Sequence, residues 1–403
     1  DSVARTAGGL PYLLRRSRGY APAPLRLAES FAHHTLACGG ELKNTFCLAR
    51  DRHAFVSHHI GDMENYETLR SFLEGVEHYC RLFDVRPELV AYDLHPEYLS
   101  TKYARELEEA GLPAVGVQHH HAHVASCLAD NERPAGERAI GVALDGTGYG
   151  TDGAVWGGEF FEGSLEGGFK RRAHLEYAPL PGGSAAIKQP WRMALAQLIA
   201  IYGEEGTLKL PLAVVREAGE RDVRLVARLV QHRLNTPPTS SAGRLFDTVA
   251  ALVGVPGSGR ATYEGQAAIE LELAADGPTD RAYPFRLRPE GDGWTCETGG
   301  VIRGAVEDLI DGRLRSVVSS KFHRTMAEMV AAVCEAVREV DGTSAVALSG
   351  GTFQNMLLLT QTVDLLEEKN FMVYRHQRVP ANDGGLALGQ AVLADKVFRE
   401  GEA

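Results

Sequence analysis

The stretch AIGVALDGTGYGTDGAVWGGEFFEG, residues 139–163, sets two apolar runs on either side of a glycine-rich turn. Short runs of Val, Ile, Leu and Phe bounded by Gly and Asp read as buried strands joined by a tight connection. The same plan, in different residues, occurs earlier in LACGGELKNTFCLARDRHAFVSHHIG, residues 36–61, which reads as a hairpin or short meander. Two units that open alike point to an ancient duplication and hence to two lobes. Between them, Leu69, Phe72, Leu73, Val76, Tyr79, Cys80 and Phe83 follow helical spacing within 64–83. A strand at 89–92, a helix at 100–110 and a strand at 114–117 follow. Beyond the second unit, 188–275 reads mainly as helices and 316–340 as one long helix. The chain then closes with strand 345–349, helix 354–369, strand 371–374 and a last helix from about 385 to 399. This alternation predicts layered α/β lobes with largely parallel sheets. At 403 residues the chain is too long for one ordinary core.

Composition narrows the class. Apolar residues make up 44% and charged residues 24%, as in soluble globular proteins. The apolar stretches are short and interrupted, so no membrane span is expected. The N-terminus carries no hydrophobic signal core, so secretion is not expected either. Cys38, Cys47, Cys80, Cys127, Cys296 and Cys334 are scattered without a CxxC. That spacing opposes a disulfide framework or a cysteine zinc site and fits a reducing cytoplasm. A net charge of -11 provides no general basic field, so nucleic acid is not an expected partner. The chain opens on Asp1 with no initiator Met and reads as a piece of a longer protein. Residues 1–24, ending in RRSRGYAPAP, read as a tail or linker from a preceding domain.

The sharpest chemical signal is VQHHHAHVASCLA, residues 117–129. A strand ends at Val117 and a helix begins within the histidines, so His119 and His123, four apart, share one helical face. Two imidazoles so placed suit a divalent metal. A surface histidine cluster is the plainer alternative, but four histidines in five residues at a strand-to-helix junction favour ligation. His120 and His121 point elsewhere, and Cys127 reads as a small buried thiol. Oxygen partners are available in Asp145, directly after the strand IGVAL, and in Asp383 of NDGG, before the last helix. Each taken singly reads equally well as a turn former or helix cap. With the histidines they would make a mixed N/O site for Fe, Zn or Mn.

Glycine-rich turns form the second constellation. DGTGYGTDG (145–153), with Gly146 and Gly148, and SGGTFQN (349–355), with Gly350, Gly351, Gln354 and Asn355, each follow an apolar run. Glycine lets backbone N–H groups approach phosphate oxygens, although either turn alone is ordinary. With Lys43 of CGGELKN they outline a phosphate cleft that uses neither a Walker A nor a Rossmann pattern. Lys188 and Arg192 in IKQPWRMA would neutralise phosphate. Asp247 in GRLFDTVAAL and Glu264 in YEGQAA would accept from a ribose hydroxyl. On the residues alone, helix-surface charge is the better reading of these four.

VQHHHAH, ALDGTGYGTDGAVWGGE, GRLFDTVAALVG, YEGQAAIELE, SGGTFQNMLL and NDGGLALGQA occur in the order seen in the HypF family, and the resemblance runs from about residue 25 to the end. It implies the two-lobed Kae1-like fold of the actin, sugar kinase and Hsp70 superfamily, with a nucleotide and metal cleft between the lobes. The expected lobes are 25–135, joined by the C-terminal helix 386–403, and 136–385. The opening segment resembles the end of the YrdC-like domain that precedes this region in the family. The resemblance also implies a divalent metal on His119, His123, Asp145 and Asp383, with Fe or Zn favoured and Mg possible alongside nucleotide. ATP or carbamoyl-adenylate would be the nucleotide substrate. HypE would be the partner, its C-terminal cysteine accepting the carbamoyl group on the way to the cyanide ligand of [NiFe] hydrogenase. The nucleophile would then come from the partner, so no catalytic residue is assigned in this chain. Competing expectations are O-carbamoyl transfer to a small-molecule hydroxyl, phosphoryl transfer or ATP hydrolysis within the same superfamily, and a non-enzymatic docking module. Threonylcarbamoyl transfer to tRNA fits the HHHAH motif and the acidic charge less well.

Overall fold

The structure, a computed structural model, describes residues 1–7 and 9–402. Two sheets carry it, and they share one plan. In the first, Thr35–Ala37, Cys47–Arg50 and His53–Val56 run as an antiparallel meander. Leu89–Asp93 and Ala114–Val117 then add in parallel on the other side of the opening strand. In the second, Ala139–Tyr149, Val155–Ser164 and Gly168–Leu175 form the meander, with Ala345–Ser349 and Met372–Arg375 added in parallel. Numbered by order in the chain, both sheets read 3-2-1-4-5 across, which is what a duplicated unit leaves behind. The parallel strands LVAYD and AVALS are buried along their whole length, as strands covered on both faces must be.

The helices after the two fifth strands exchange neighbours. Helix His119–Asp130 follows the first sheet but lies against Ala139–Tyr149 and Ala345–Ser349 of the second. Helix Leu386–Glu402 follows the second sheet but lies against Leu89–Asp93 and Thr35–Ala37 of the first. The two helices also pack on each other, and small residues make that possible. A Cβ on Gly141 would fall 2.4 Å from the Val124 side chain, and one on Gly389 would fall 1.8 Å from the Ala122 carbonyl oxygen. Backbone approaches this close are open only to glycine. The histidine helix is thus clamped between a strand of one lobe and a helix of the other, which fixes its depth in the cleft.

Helices also dominate residues 184–274, and Arg315–Asp341 is one long helix. A second antiparallel pair, Arg286–Glu290 and Gly293–Glu297, extends the edge of the second sheet; its short polar runs carry little strand signal. The opening residues, expected to be a tail, pair as strands Val3–Ala7 and Leu10–Arg15. They are anchored to both lobes. Tyr12 is buried in the second lobe's core, and the Asn382 side chain donates to the Leu14 carbonyl at 3.0 Å. Buried Arg16 donates to the carbonyls of Val56, Tyr20 and Ala23 at 2.7, 3.0 and 2.8 Å. Among the described residues, no helix is long and apolar enough to cross a membrane.

Candidate functional site

Gln118 sets the register of the histidine helix. Its side-chain oxygen accepts from the N–H groups of His120 and His121 at 2.7 and 3.0 Å, an N-cap that satisfies two otherwise orphaned donors. With the first turn fixed, His119 and His123 face the cleft and are essentially fully buried. Asp145 meets them from the second lobe. Its Oδ1 accepts from Gly146 N–H at 2.8 Å and Gly351 N–H at 3.1 Å, so its Oδ2 is turned toward the imidazoles. The Nε2 atoms of His123 and His119 lie 3.1 and 3.5 Å from Asp145 Oδ2, and 3.6 and 3.9 Å from Asp383 Oδ1. One donor atom from each of the four residues falls within 4.8 Å of the others. Ligands bound at about 2.1 Å around one tetrahedral ion sit roughly 3.4 Å apart, so the cluster has the dimensions of a metal site.

The electrostatics fit the same group. His119 Nε2 is buried and has no hydrogen-bond partner, a costly state for a polar atom unless a ligand completes it. Burial by itself would lower the His119 pKa; the Asp93, Asp145 and Asp383 carboxylates outweigh it and hold the imidazole well above its usual range. Burial likewise opposes the Asp145 charge, and the two histidines overcome it, keeping this carboxyl well below the ordinary value. Two imidazole nitrogens and two carboxylates suit a transition metal such as Fe or Zn better than Mg, which prefers oxygen and water.

Asp93 is a partner that the sequence did not single out. Its Oδ2 lies 2.7 Å from His119 Nδ1, both groups being completely buried. A carboxylate there keeps a proton on Nδ1, so Nε2, facing Asp145, is the nitrogen that would give up its proton to a bound cation. The loop after Asp93 adds an aromatic wall, in which the rings of His95 and Tyr98 stack at 4.1 Å and Tyr149 stands edge-on to His95 at 5.5 Å.

The remaining residues separate by location. Lys43 reaches across the cleft to pair with Glu264. Burial lowers its pKa, but Glu264, then Asp383 and Asp145, more than reverse this, so Lys43 stays charged beside the cluster. The Gly146 and Gly351 N–H groups, expected to face phosphate, are directed at Asp145. Gly350 has a φ of 98° and no room for a side chain beside the Leu144 backbone, and a Cβ on Gly148 would strike the rings of His120 and His119. Asn355 caps helix Met356–Glu368 and contacts His323 Nε2 at 2.8 Å. The Gln354 carbonyl accepts from Arg5 at 3.3 Å. Asp247 pairs with Arg244 at 2.9 Å in a buried setting that pushes its carboxyl up to about 6. Lys188 is exposed, and Arg192 is held by Gln189 at 2.6 Å and lies over the Trp191 ring. His120 is buried and held neutral by that burial, and His121 lies edge-on to Phe161 and Phe169. Cys127 is fully buried with its thiol pKa pushed well up, so it offers no thiolate ligand.

Comparison with known proteins adds the following. Residues 30–130 match the family model described as the HypF Kae1-like domain, and residues 141–390 match the second subdomain of the carbamoyltransferase Kae1-like domain. The chain is 39% identical to carbamoyltransferase HypF2 of Cupriavidus necator over 98% of its own length and 51% of that protein's. It is 38% identical to a carbamoyltransferase HypF homolog of the same organism, covering 89% of this chain and 91% of that one. A solved full-length HypF in phosphate- and nucleotide-bound form superposes with a TM-score of 0.91 at 41% identity, covering 99% of this chain and 61% of that one. HypF of T. kodakarensis superposes with a TM-score of 0.86 at 31% identity, covering 99% and 52%. The chain spans about half the length of the HypF2 relative.

Proposed function

Because the chain belongs to the HypF family of Kae1-like carbamoyltransferase domains, we propose that it transfers a carbamoyl group from carbamoyl-adenylate to the thiol of the C-terminal cysteine of HypE, a step toward the cyanide ligand of [NiFe] hydrogenase. The observation that carries this reading is the convergence of His119, His123, Asp145 and Asp383 between the two lobes. The solved full-length relative is bound to phosphate and nucleotide, which supports a nucleotide as the ligand of this reading. A phosphotransferase or ATPase is the weaker reading, because paired imidazoles are poor Mg ligands. Cytoplasmic placement accords with six cysteines that are all free.

Carbamoyl-adenylate is a mixed anhydride. The acceptor sulfur, as the thiolate left when its proton passes to solvent, attacks the carbonyl carbon, the bond from that carbon to the phosphate oxygen breaks, and AMP leaves with the electron pair. The carbonyl is already activated, so the protein's task is to orient the reactants, stabilise charge and keep water out. A divalent ion held by the four residues would supply Lewis-acid stabilisation of phosphate and carbonyl oxygens. Lys43 would exchange Glu264 for a phosphate oxygen and draw the lobes onto the nucleotide. Replacing Lys43 with Ala is expected to weaken binding of a non-hydrolysable ATP analogue about tenfold, the loss of one charge-assisted contact, while Lys43→Arg keeps most of it. Titration calorimetry decides; equal affinity in K43A would remove Lys43 from the phosphate site.

The transfer itself is tested by mixing the metal-loaded chain with carbamoyl-adenylate and a peptide ending in the HypE cysteine. AMP release together with a carbamoylated peptide, seen by mass spectrometry, is the expected result. AMP release with an unmodified peptide would make the domain a hydrolase, and no turnover would leave it a docking module.

A further inference from the structure

His119 is held by a carboxylate, whereas His123 is held by a hydroxyl. Both contacts come from the same place in the duplicated plan, the last residue of the fourth strand, which is Asp93 in one sheet and Ser349 in the other. Ser349 Oγ lies 3.4 Å from His123 Nδ1. A hydroxyl both donates and accepts, so alone it leaves the tautomer of His123 open. Ser349 Oγ is also 2.8 Å from Nε2 of His376, whose Nδ1 has no hydrogen-bond partner and lies 3.9 Å from Asp130 Oδ2. All three residues are buried. Burial pushes the His376 pKa down to about 4, so this ring is neutral and carries one proton.

Two arrangements satisfy such a chain. With the His376 proton on Nε2, it donates to Ser349, Ser349 donates to His123 Nδ1, and the His123 proton then sits on Nε2, where it blocks a ligand. With the His376 proton on Nδ1, every donor reverses: Ser349 donates to His376, His123 Nδ1–H donates to Ser349, and His123 Nε2 is bare toward Asp145 and Asp383. Asp145 and Asp383 hold a proton on His123 Nε2 until a cation offsets them; with the cation there, Asp130 favours the second arrangement, because its negative charge attracts a proton on the nearer His376 nitrogen. That carboxylate is itself fixed, accepting from the N–H groups of Gln377 and Arg378 at 2.6 and 3.0 Å and from Arg378 Nε at 3.0 Å.

We propose that Ser349 and His376, backed by Asp130, are positioning residues that set the tautomer of His123 for metal ligation, as Asp93 does for His119. This rests on reading the four clustered residues as metal ligands. The test is the affinity of the whole chain for Zn(II), measured by competition with a chromophoric chelator, with melting of the metal-free protein recorded alongside. Ser349→Ala removes the link, and His376→Phe removes the acceptor while keeping an aromatic ring in its place. Both are expected to bind Zn(II) about 10- to 100-fold more weakly, the range for partners that orient a ligand, with metal-free melting midpoints close to the parent's. Parent-like affinity in either variant overturns the proposal, as does an affinity loss seen only where metal-free melting collapses too. His123→Ala separates the two readings. If it binds Zn(II) like the parent, the ligand assignment falls. If it loses Zn(II) while S349A and H376F do not, only the positioning chain falls.

Discussion

His123→Ala is expected to lose metal and carbamoyl transfer together while the chain still folds. The imidazole is 1% exposed, and its Nε2 is the closest histidine nitrogen to Asp145, at 3.1 Å. Without it, Asp145 and Asp383 face each other with only His119 between them. Three donors and a cavity hold an ion far less well than four, so affinity should drop by more than the roughly 100-fold cost of losing an orienting partner. The lost ring costs stability as well, about 2–4 kcal/mol by analogy with other buried large-to-small changes, spread over a chain with two substantial cores. Elemental analysis of protein purified without chelators is the direct measurement. Near one Fe or Zn per parent chain and almost none in the variant is the expected pair of values. Full occupancy in the variant would make the histidines structural, and the search for chemistry would turn to Mg-dependent phosphoryl transfer.

The residues legible in the sequence are those whose signal is local. Four histidines at a strand-to-helix junction announce a helical face, and the structure puts His119 and His123 on it beside Asp145 and Asp383. The strand and helix order was legible for the same reason, since period and turn chemistry are local. Asp93 was not, because one Asp after LVAY looks like any strand-end turn former. The pointer lay in the repeat: Asp93 and Ser349 end the matching fourth strands of the two sheets, and each reaches the Nδ1 of one histidine of the pair. The destination of charged helical residues was illegible for a different reason. Arg192 bonding Gln189, and Asp247 bonding Arg244, are pairings three residues apart, which spacing permits but does not single out from a contact with phosphate or ribose. The exchange of helices between lobes is a packing result, decided by single glycines within otherwise ordinary helix and strand patterns.

One of those glycines carries the second large effect. Gly389→Ala should destabilise the chain and weaken metal binding, although Gly389 lies in the helix that carries no histidine. Alanine suits a helix better than glycine by up to about 1 kcal/mol, so local propensity predicts a gain. Sterics oppose it. The new methyl would lie 1.8 Å from the Ala122 carbonyl oxygen and 2.8 Å from the Ser126 backbone nitrogen, and neither is a flexible side-chain end that can swing away. Relief requires the C-terminal helix and the histidine helix to separate, and Val124 pressed against Gly141 blocks the histidine helix from retreating. Overpacking of this kind costs about 1–3 kcal/mol or more, which outweighs the propensity gain. Ala122 adjoins His123, so any separation also shifts an imidazole relative to Asp145. The control lies in the same helix: a Cβ at Gly401 meets nothing within 4 Å, so Gly401→Ala should leave melting and metal content unchanged. If G389A instead melted at or above the parent temperature with full metal content, the two helices would be free to part, and the clamp that sets the depth of the histidines would have to lie elsewhere.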